Sequence, residues 1–123
     1  MNQRTILYVE DNEYNRKIVR RLLGHTDYRL IEAVDGEAGL ALAFAELPDL
    51  ILMDVQLPKM SGLEATRLLR ADERTKQIPI VVITSFALSG DRERATDAGA
   101  AGYLAKPYSP RELLALVRQF LPE

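Results

Sequence analysis

The stretch LILMDVQLP, Leu50–Pro58, decides the fold. Successive side chains of a strand point to opposite faces, so four apolar residues without a polar interruption describe a strand covered on both sides. That pattern belongs to a parallel sheet with helices on each face. The run ends in Asp54, and Pro58 closes the turn that follows. A second run of the same form stands in TILYVED, where Ile6 to Val9 leads into Glu10 and Asp11. One acid after a strand is most simply a strand stop; acids at two strand ends ask for a further reason.

Other short apolar runs lie at Arg29 to Ala33, Ile80 to Thr84 and Gly102 to Ala105, each separated from the next by a longer segment of helical character. Five βα units with short connections predict a doubly wound α/β domain with right-handed crossovers. In the first helical segment Ile18, Val19, Leu22 and Leu23 fall at helical spacing, and Gly24 supplies a stop. Two capping boxes mark later helix starts, SGLE at Ser61 to Glu64 and SPRE at Ser109 to Glu112, the second with Pro110 suited to the first helical position. The final helix is expected to bury Leu113, Leu114, Val117, Phe120 and Leu121. By contrast, GDRERATDAGA offers only small apolar residues and many charges, so this fourth helix should be loosely held and movable.

A chain of 123 residues, 47% hydrophobic, has the size of one domain, and residues 1–123 are read as one. The net charge of -2 gives no general attraction for a polyanion, which argues against direct nucleic-acid binding. The absence of cysteine excludes disulfides, thiol nucleophiles and thiolate metal sites and suits a reducing compartment, so a cytoplasmic location is expected. No apolar run approaches the length of a membrane-spanning helix, and no membrane insertion is expected. Neither a G-x-x-x-x-G-K-[ST] loop, nor G-x-G-x-x-G, nor a G-x-S-x-G elbow occurs, which removes nucleotide-binding and serine-hydrolase chemistries.

Ligands of such sheets bind beyond the carboxyl ends of the strands. There the sequence places Glu10 and Asp11, Asp54, Thr84 and Lys106. Three carboxylates at one rim repel, and two charges about 4 Å apart cost on the order of 4 kcal/mol at an effective dielectric near 20. Lys106 offsets one charge, and a hard divalent cation favouring oxygen ligands, Mg²⁺ first among them, would offset the rest. With no histidine or cysteine in the group, zinc and softer metals are poorly matched. A carboxylate can also act as a nucleophile toward phosphorus, and the transferred group needs positioning and charge stabilisation more than covalent help. Asp54 is the sensible attacker, with Glu10 and Asp11 on a shared loop for the metal, and Lys106 and Thr84 for phosphoryl oxygens.

In order along the chain, VEDN, LILMDVQLPKMSGLE, VVITSFA and AKP resemble the response-regulator receiver domain, and the similarity covers essentially all of the sequence. The resemblance implies a five-stranded, flavodoxin-like parallel sheet of order 2-1-3-4-5 flanked by five helices. It implies phosphoryl transfer to Asp54 from a histidine kinase or histidine phosphotransfer protein, with Mg²⁺ held by Glu10, Asp11, Asp54 and the backbone carbonyl of Gln56. It also implies a switch in which Thr84 follows the phosphoryl group and Tyr103 turns inward, a cis Lys106–Pro107 bond, and an influence of Gln56 and Phe86 on how long the phosphoryl group survives. The downstream partner would read the face of the fourth helix, fifth strand and fifth helix. VEDNEYN, DVQLPKMSGLE and FALSGDRE look most like single-domain cell-cycle regulators and receivers attached to hybrid kinases.

Plainer readings stand beside these. Thr84 alone is a β-branched strand residue, Lys106 a surface charge, Tyr103 a half-buried ring, Arg92 and Arg94 a solvated helix face, and His25 a solvated residue at a helix end. The competing functions are a Mg²⁺-dependent aspartate-nucleophile phosphatase and a receiver-like interaction module that is never phosphorylated. Such phosphatases typically carry an acid/base aspartate where this chain has Gln56. No enzymatic activity beyond the domain's own phosphorylation and dephosphorylation is expected.

Overall fold

A computed structural model describes residues 3–85 and 90–123. Phe86 and Ser89, with the stretch between them, lie outside the described residues. The strands are β1 (Thr5–Val9), β2 (Arg29–Ala33), β3 (Leu50–Asp54), β4 (Ile80–Thr84) and β5 (Gly102–Ala105). The helices are α1 (Glu13–Leu23), α2 (Gly36–Glu46), α3 (Gly62–Ala71), α4 (Asp91–Ala98) and α5 (Pro110–Phe120). All strands pair in parallel, in the order β2-β1-β3-β4-β5. The predicted architecture is the observed one.

Every residue of β3 and β4 is buried, as their uninterrupted apolar runs require. Alternation divides them between two cores. Ile6, Tyr8, Leu50, Leu52, Val81 and Ile83 face one side and meet Val19 and Leu23 of α1 and Leu113 and Val117 of α5. Leu7, Val9, Ile51, Met53, Ile80 and Val82 face the other and meet Ala43 of α2, Ala65 and Leu69 of α3, and Ala95 of α4. Among the described residues, no buried side-chain nitrogen or oxygen lacks a hydrogen-bond partner. Nor is any helix among them long and apolar enough to cross a membrane.

Helix starts follow the caps read in the sequence. Ser109 accepts from the Glu112 amide at 3.1 Å, and the Glu112 side chain accepts from the Ser109 amide at 3.0 Å, so this box is complete, with Pro110 opening α5. Removing it with Ser109→Ala should lower stability by about 1 kcal/mol, read as a shift in the urea midpoint. At the other site Ser61 accepts from the amides of Leu63 and Glu64, at 3.0 and 3.5 Å. Gly24 ends α1 in a right-handed conformation, φ -64°; the stop comes from tightening into shorter turns, with the Thr26 amide bonded to the Leu23 carbonyl at 3.0 Å. In α5, Leu113, Val117 and the capping Leu121 are buried, whereas Leu114 and Phe120 are only half-buried because they flank the stripe that faces the sheet.

Helix α4 buries only Ala95 and Ala98. The residue before its first turn is Gly90, which has no side chain to cap it, and this is the light anchoring its composition predicts. Its other end is firmly tied. Gly99 stands at φ 102°, a conformation glycine adopts without strain, and its carbonyl accepts from Arg70 Nε at 2.6 Å. The same guanidinium donates to the carbonyls of Ile78, at 2.8 Å, and Lys76.

Candidate phosphoryl-acceptor and metal site

Strand register brings the site together. Val9 pairs with Met53, Asp54 with Ile83, and Thr84 with Ala105, so Glu10, Asp11, Asp54, Thr84 and Lys106 all fall at one edge of the sheet. Glu10 and Asp54 are 1% and 2% exposed, while Asp11 is open to solvent. One carboxylate oxygen from each of the three can be chosen such that all lie within 4.8 Å of one another. Lys106 Nζ bridges two of them, donating to Glu10 Oε1 at 2.9 Å and to Asp54 Oδ2 at 3.2 Å. The Lys106–Pro107 bond is cis, as the resemblance implies.

Each buried carboxylate is held from behind. Asp54 Oδ1 accepts from the Gln56 amide at 3.0 Å. Glu10 Oε2 accepts from the Asn12 amide at 3.2 Å, and Oε1 accepts from the Tyr8 hydroxyl at 3.1 Å as well as from Lys106. The backbone carbonyl of Glu10 accepts from Arg16 Nη1 at 2.8 Å. Arg16, itself buried, is paired with Glu13 and stands 3.5 Å from Glu32. Of these supports only Lys106 was visible in the sequence. Tyr8 reads there as one more apolar strand residue, and Arg16 as an exposed helix charge.

Burial, followed by hydrogen bonding and charge repulsion from Glu10, pushes the Asp54 carboxyl up to about 6 despite the pull of Lys106 and the Gln56 amide. Glu10 moves the other way: burial opposes its charge, but hydrogen bonds with Asp54 and Lys106 outweigh that and hold its carboxyl below the ordinary range. Between these two acids, the proton belongs to Asp54. Burial also opposes the Lys106 charge and is outweighed by its two carboxylate partners, so the ammonium persists. Burial, then the neighbouring Tyr108 and Glu10, raises the Tyr8 hydroxyl, which keeps its proton and serves as a donor. Three convergent carboxylates with only oxygen donors fit a hard divalent cation.

Thr84, 2% exposed, accepts from Gln56 Nε2 at 2.8 Å. Tyr103 is half-buried on β5 in register with Val82, and a cleft of about 280 Å³ lined by both Thr84 and Tyr103 lies beside α4. The Arg92 guanidinium covers the Tyr103 ring, 4.7 Å from its centroid, which gives that arginine a contact the plain reading of a solvated face did not contain. Arg94 pairs with the half-buried Asp91, and both line the cleft beside Thr84 and Tyr103, so Arg94 too is more than a solvated face; His25 is exposed, as expected.

This chain belongs to the response regulator receiver domain family, whose family model matches residues 6–118. It therefore takes its place among the receiver domains of two-component signalling. It is 41% identical over 118 residues to the polar-differentiation response regulator DivK of Brucella ovis, with 96% of each chain covered. In structure it resembles the receiver domain of a sensor histidine kinase from Pseudomonas aeruginosa PAO1, at 37% identity and a TM-score of 0.89, over 99% of this chain and 100% of that one. That neighbour was solved with a magnesium ion coordinated in its active-site cleft. The Vibrio cholerae chemotaxis protein CheY4 superposes with a TM-score of 0.91 at 30% identity, over 98% of this chain and 100% of that one.

Proposed function

We propose that this receiver domain accepts a phosphoryl group on Asp54 from the phosphohistidine of a histidine kinase or histidine phosphotransfer protein, and that the transfer switches a protein-binding face. The observation that carries this reading is the Lys106 ammonium bridging Glu10 and Asp54 within a cluster of three carboxylates at the strand ends. Glu10, Asp11, Asp54 and the Gln56 backbone carbonyl would hold Mg²⁺, which when bound supplies positive charge to a phosphoryl oxygen and to the acceptor. A bond forms from a carboxylate oxygen of Asp54 to phosphorus as the bond from phosphorus to the donor's imidazole nitrogen breaks, and the electron pair leaves with that nitrogen. Lys106 stabilises charge on the transferred group, and the Thr84 hydroxyl offers a hydrogen bond to another of its oxygens. The domain turns over nothing beyond its own acyl phosphate.

Phosphorylation adds charge and acceptor oxygens at the rim. Thr84 then turns toward the phosphoryl group, and the cleft beside it admits the Tyr103 ring. The lightly anchored start of α4 lets this motion reach the surface made by α4, β5 and α5, where the downstream protein binds. This reading places the domain in the cytoplasm with its donor. NMR spectra should show the resonances of Tyr103 and residues 91–98 shifting on phosphorylation; unchanged spectra would reject the switch while leaving the acceptor intact.

The acceptor role is tested by incubation with Mg²⁺ and acetyl phosphate followed by intact mass measurement. Wild-type protein should gain one labile phosphoryl group, and Asp54→Asn should gain none. Steady release of free phosphate from many turnovers would instead mark a phosphatase.

A further inference from the structure

We infer that the side chain of Gln56 is a latch that holds the resting arrangement of the rim by clasping Thr84 and Ser85, so that the switch must break this clasp to move. The inference rests on the acceptor role proposed for Asp54, and it concerns the balance between two arrangements of the domain rather than the survival of the acyl phosphate.

Both ends of the Gln56 carboxamide are engaged by adjacent residues at the end of β4. Its Nε2 donates to Thr84 Oγ1 at 2.8 Å, and its Oε1 accepts from the Ser85 amide at 3.1 Å. A backbone N–H can only donate, which fixes the oxygen of the carboxamide on Ser85 and the nitrogen on Thr84. Thr84 Oγ1 is thereby an acceptor toward Gln56. The base of the clasp is equally fixed, because the Gln56 amide is bonded to Asp54 Oδ1 at 3.0 Å. One residue thus ties the acceptor carboxylate on β3 to the switching hydroxyl on β4.

A hydroxyl that turns to a phosphoryl oxygen moves to another staggered side-chain position, and that carries Thr84 Oγ1 away from Gln56 Nε2. Thr84 Oγ1 gains a phosphoryl oxygen in exchange, but the half-buried Gln56 Nε2 loses its partner, and that loss counts against the switched arrangement. Ser85 is also where the chain leaves β4. Displacement of its backbone amide breaks the second bond of the same carboxamide. The clasp therefore opposes both motions required of the switch.

The test is a titration with beryllofluoride in the presence of Mg²⁺, as a stand-in for the phosphoryl group on Asp54, across wild type, Gln56→Met, Thr84→Val and the double variant. Methionine keeps the length of the side chain and removes both hydrogen-bonding ends. Gln56→Met should bind beryllofluoride about five- to thirtyfold more tightly than wild type, the equivalent of one to two net hydrogen bonds. In the Thr84→Val background that gain should fall to about the contribution of the Ser85 bond alone, fivefold or less. Independently of any probe, the Ser85 amide in metal-free Gln56→Met should exchange with deuterium faster by a similar factor. Equal or weaker binding by Gln56→Met, an undiminished gain beside Thr84→Val, or unchanged exchange at Ser85 overturns the latch. Wild-type protein that bound no beryllofluoride would overturn the acceptor reading and the latch with it, whereas a wild type that binds and a Gln56→Met that merely matches it overturns the latch alone.

Discussion

Gly62→Ala is expected to destabilise the domain by about 3 kcal/mol or more, because among the glycines its added methyl meets the closest backbone obstacle. A Cβ at Gly62 would overlap the Asp54 carbonyl oxygen, stand 2.8 Å from the carbonyl carbon and 3.0 Å from Met53 Cγ. The obstacle is the backbone of the central strand. It is held in place where the Val55 amide bonds the Ile83 carbonyl at 2.9 Å and the Val55 carbonyl accepts from Gly62 itself at 3.0 Å. Relief must therefore displace either α3 or the peptide that carries Asp54. Gly39→Ala is the control: its Cβ would meet the methyls of Val9, at 2.8 and 3.1 Å, which a small shift of one side chain can relieve, so a loss of about 1–2 kcal/mol is expected. Urea unfolding of the two variants decides the matter, and equal losses would show that the close approach of α3 to β3 is not rigid.

The second large effect comes from the acid pair. In metal-free solution Asp54→Asn should be more stable than wild type at neutral pH by about 1–3 kcal/mol, because it removes a buried charge whose carboxyl is pushed up to about 6. The folded state binds this proton more tightly than the unfolded chain does. Its stabilising contribution is therefore complete below pH ~4 and is lost as pH rises toward about 6. The gap between variant and wild type should open across that window. Glu10, whose carboxyl is lowered, contributes in the opposite sense and at lower pH, where its partners hold the charged form. Saturating Mg²⁺ should close the gap by stabilising wild type and leaving Asp54→Asn nearly unmoved. Thermal unfolding from pH 4 to 7, with and without Mg²⁺, measures both effects; a wild type that gained stability steadily from pH 4 to 6 in the absence of metal would contradict the assignment.

The parts of this molecule that could be read from the sequence are those governed by chain-local rules. LILM and IVVI contain no polar interruption, so their burial on two faces, and with it the sheet, followed from side-chain alternation. Acidic, hydroxyl and basic residues directly after apolar runs marked Glu10, Asp11, Asp54, Thr84 and Lys106 as neighbours once the strands were taken as parallel. What stayed hidden depends on where long side chains go after the backbone has closed. The Tyr8 hydroxyl reaches Glu10 along its own strand, Arg16 turns under the first loop to a carbonyl, and Gln56 spans two strands. Gly62 was legible only as a member of a capping box; its closeness to Asp54 is a fact of helix-on-sheet packing. The same limit applies to Arg92, whose partner ring belongs to another element.

Arg70 gives the fourth helix a fulcrum. Because that guanidinium holds the Gly99 carbonyl together with two carbonyls before β4, the tail of α4 is pinned to the end of α3 and to the turn ahead of β4, while its head carries no side-chain cap. In the switch proposed for this domain the capless end is the one that would swing, with the pinned end as its pivot.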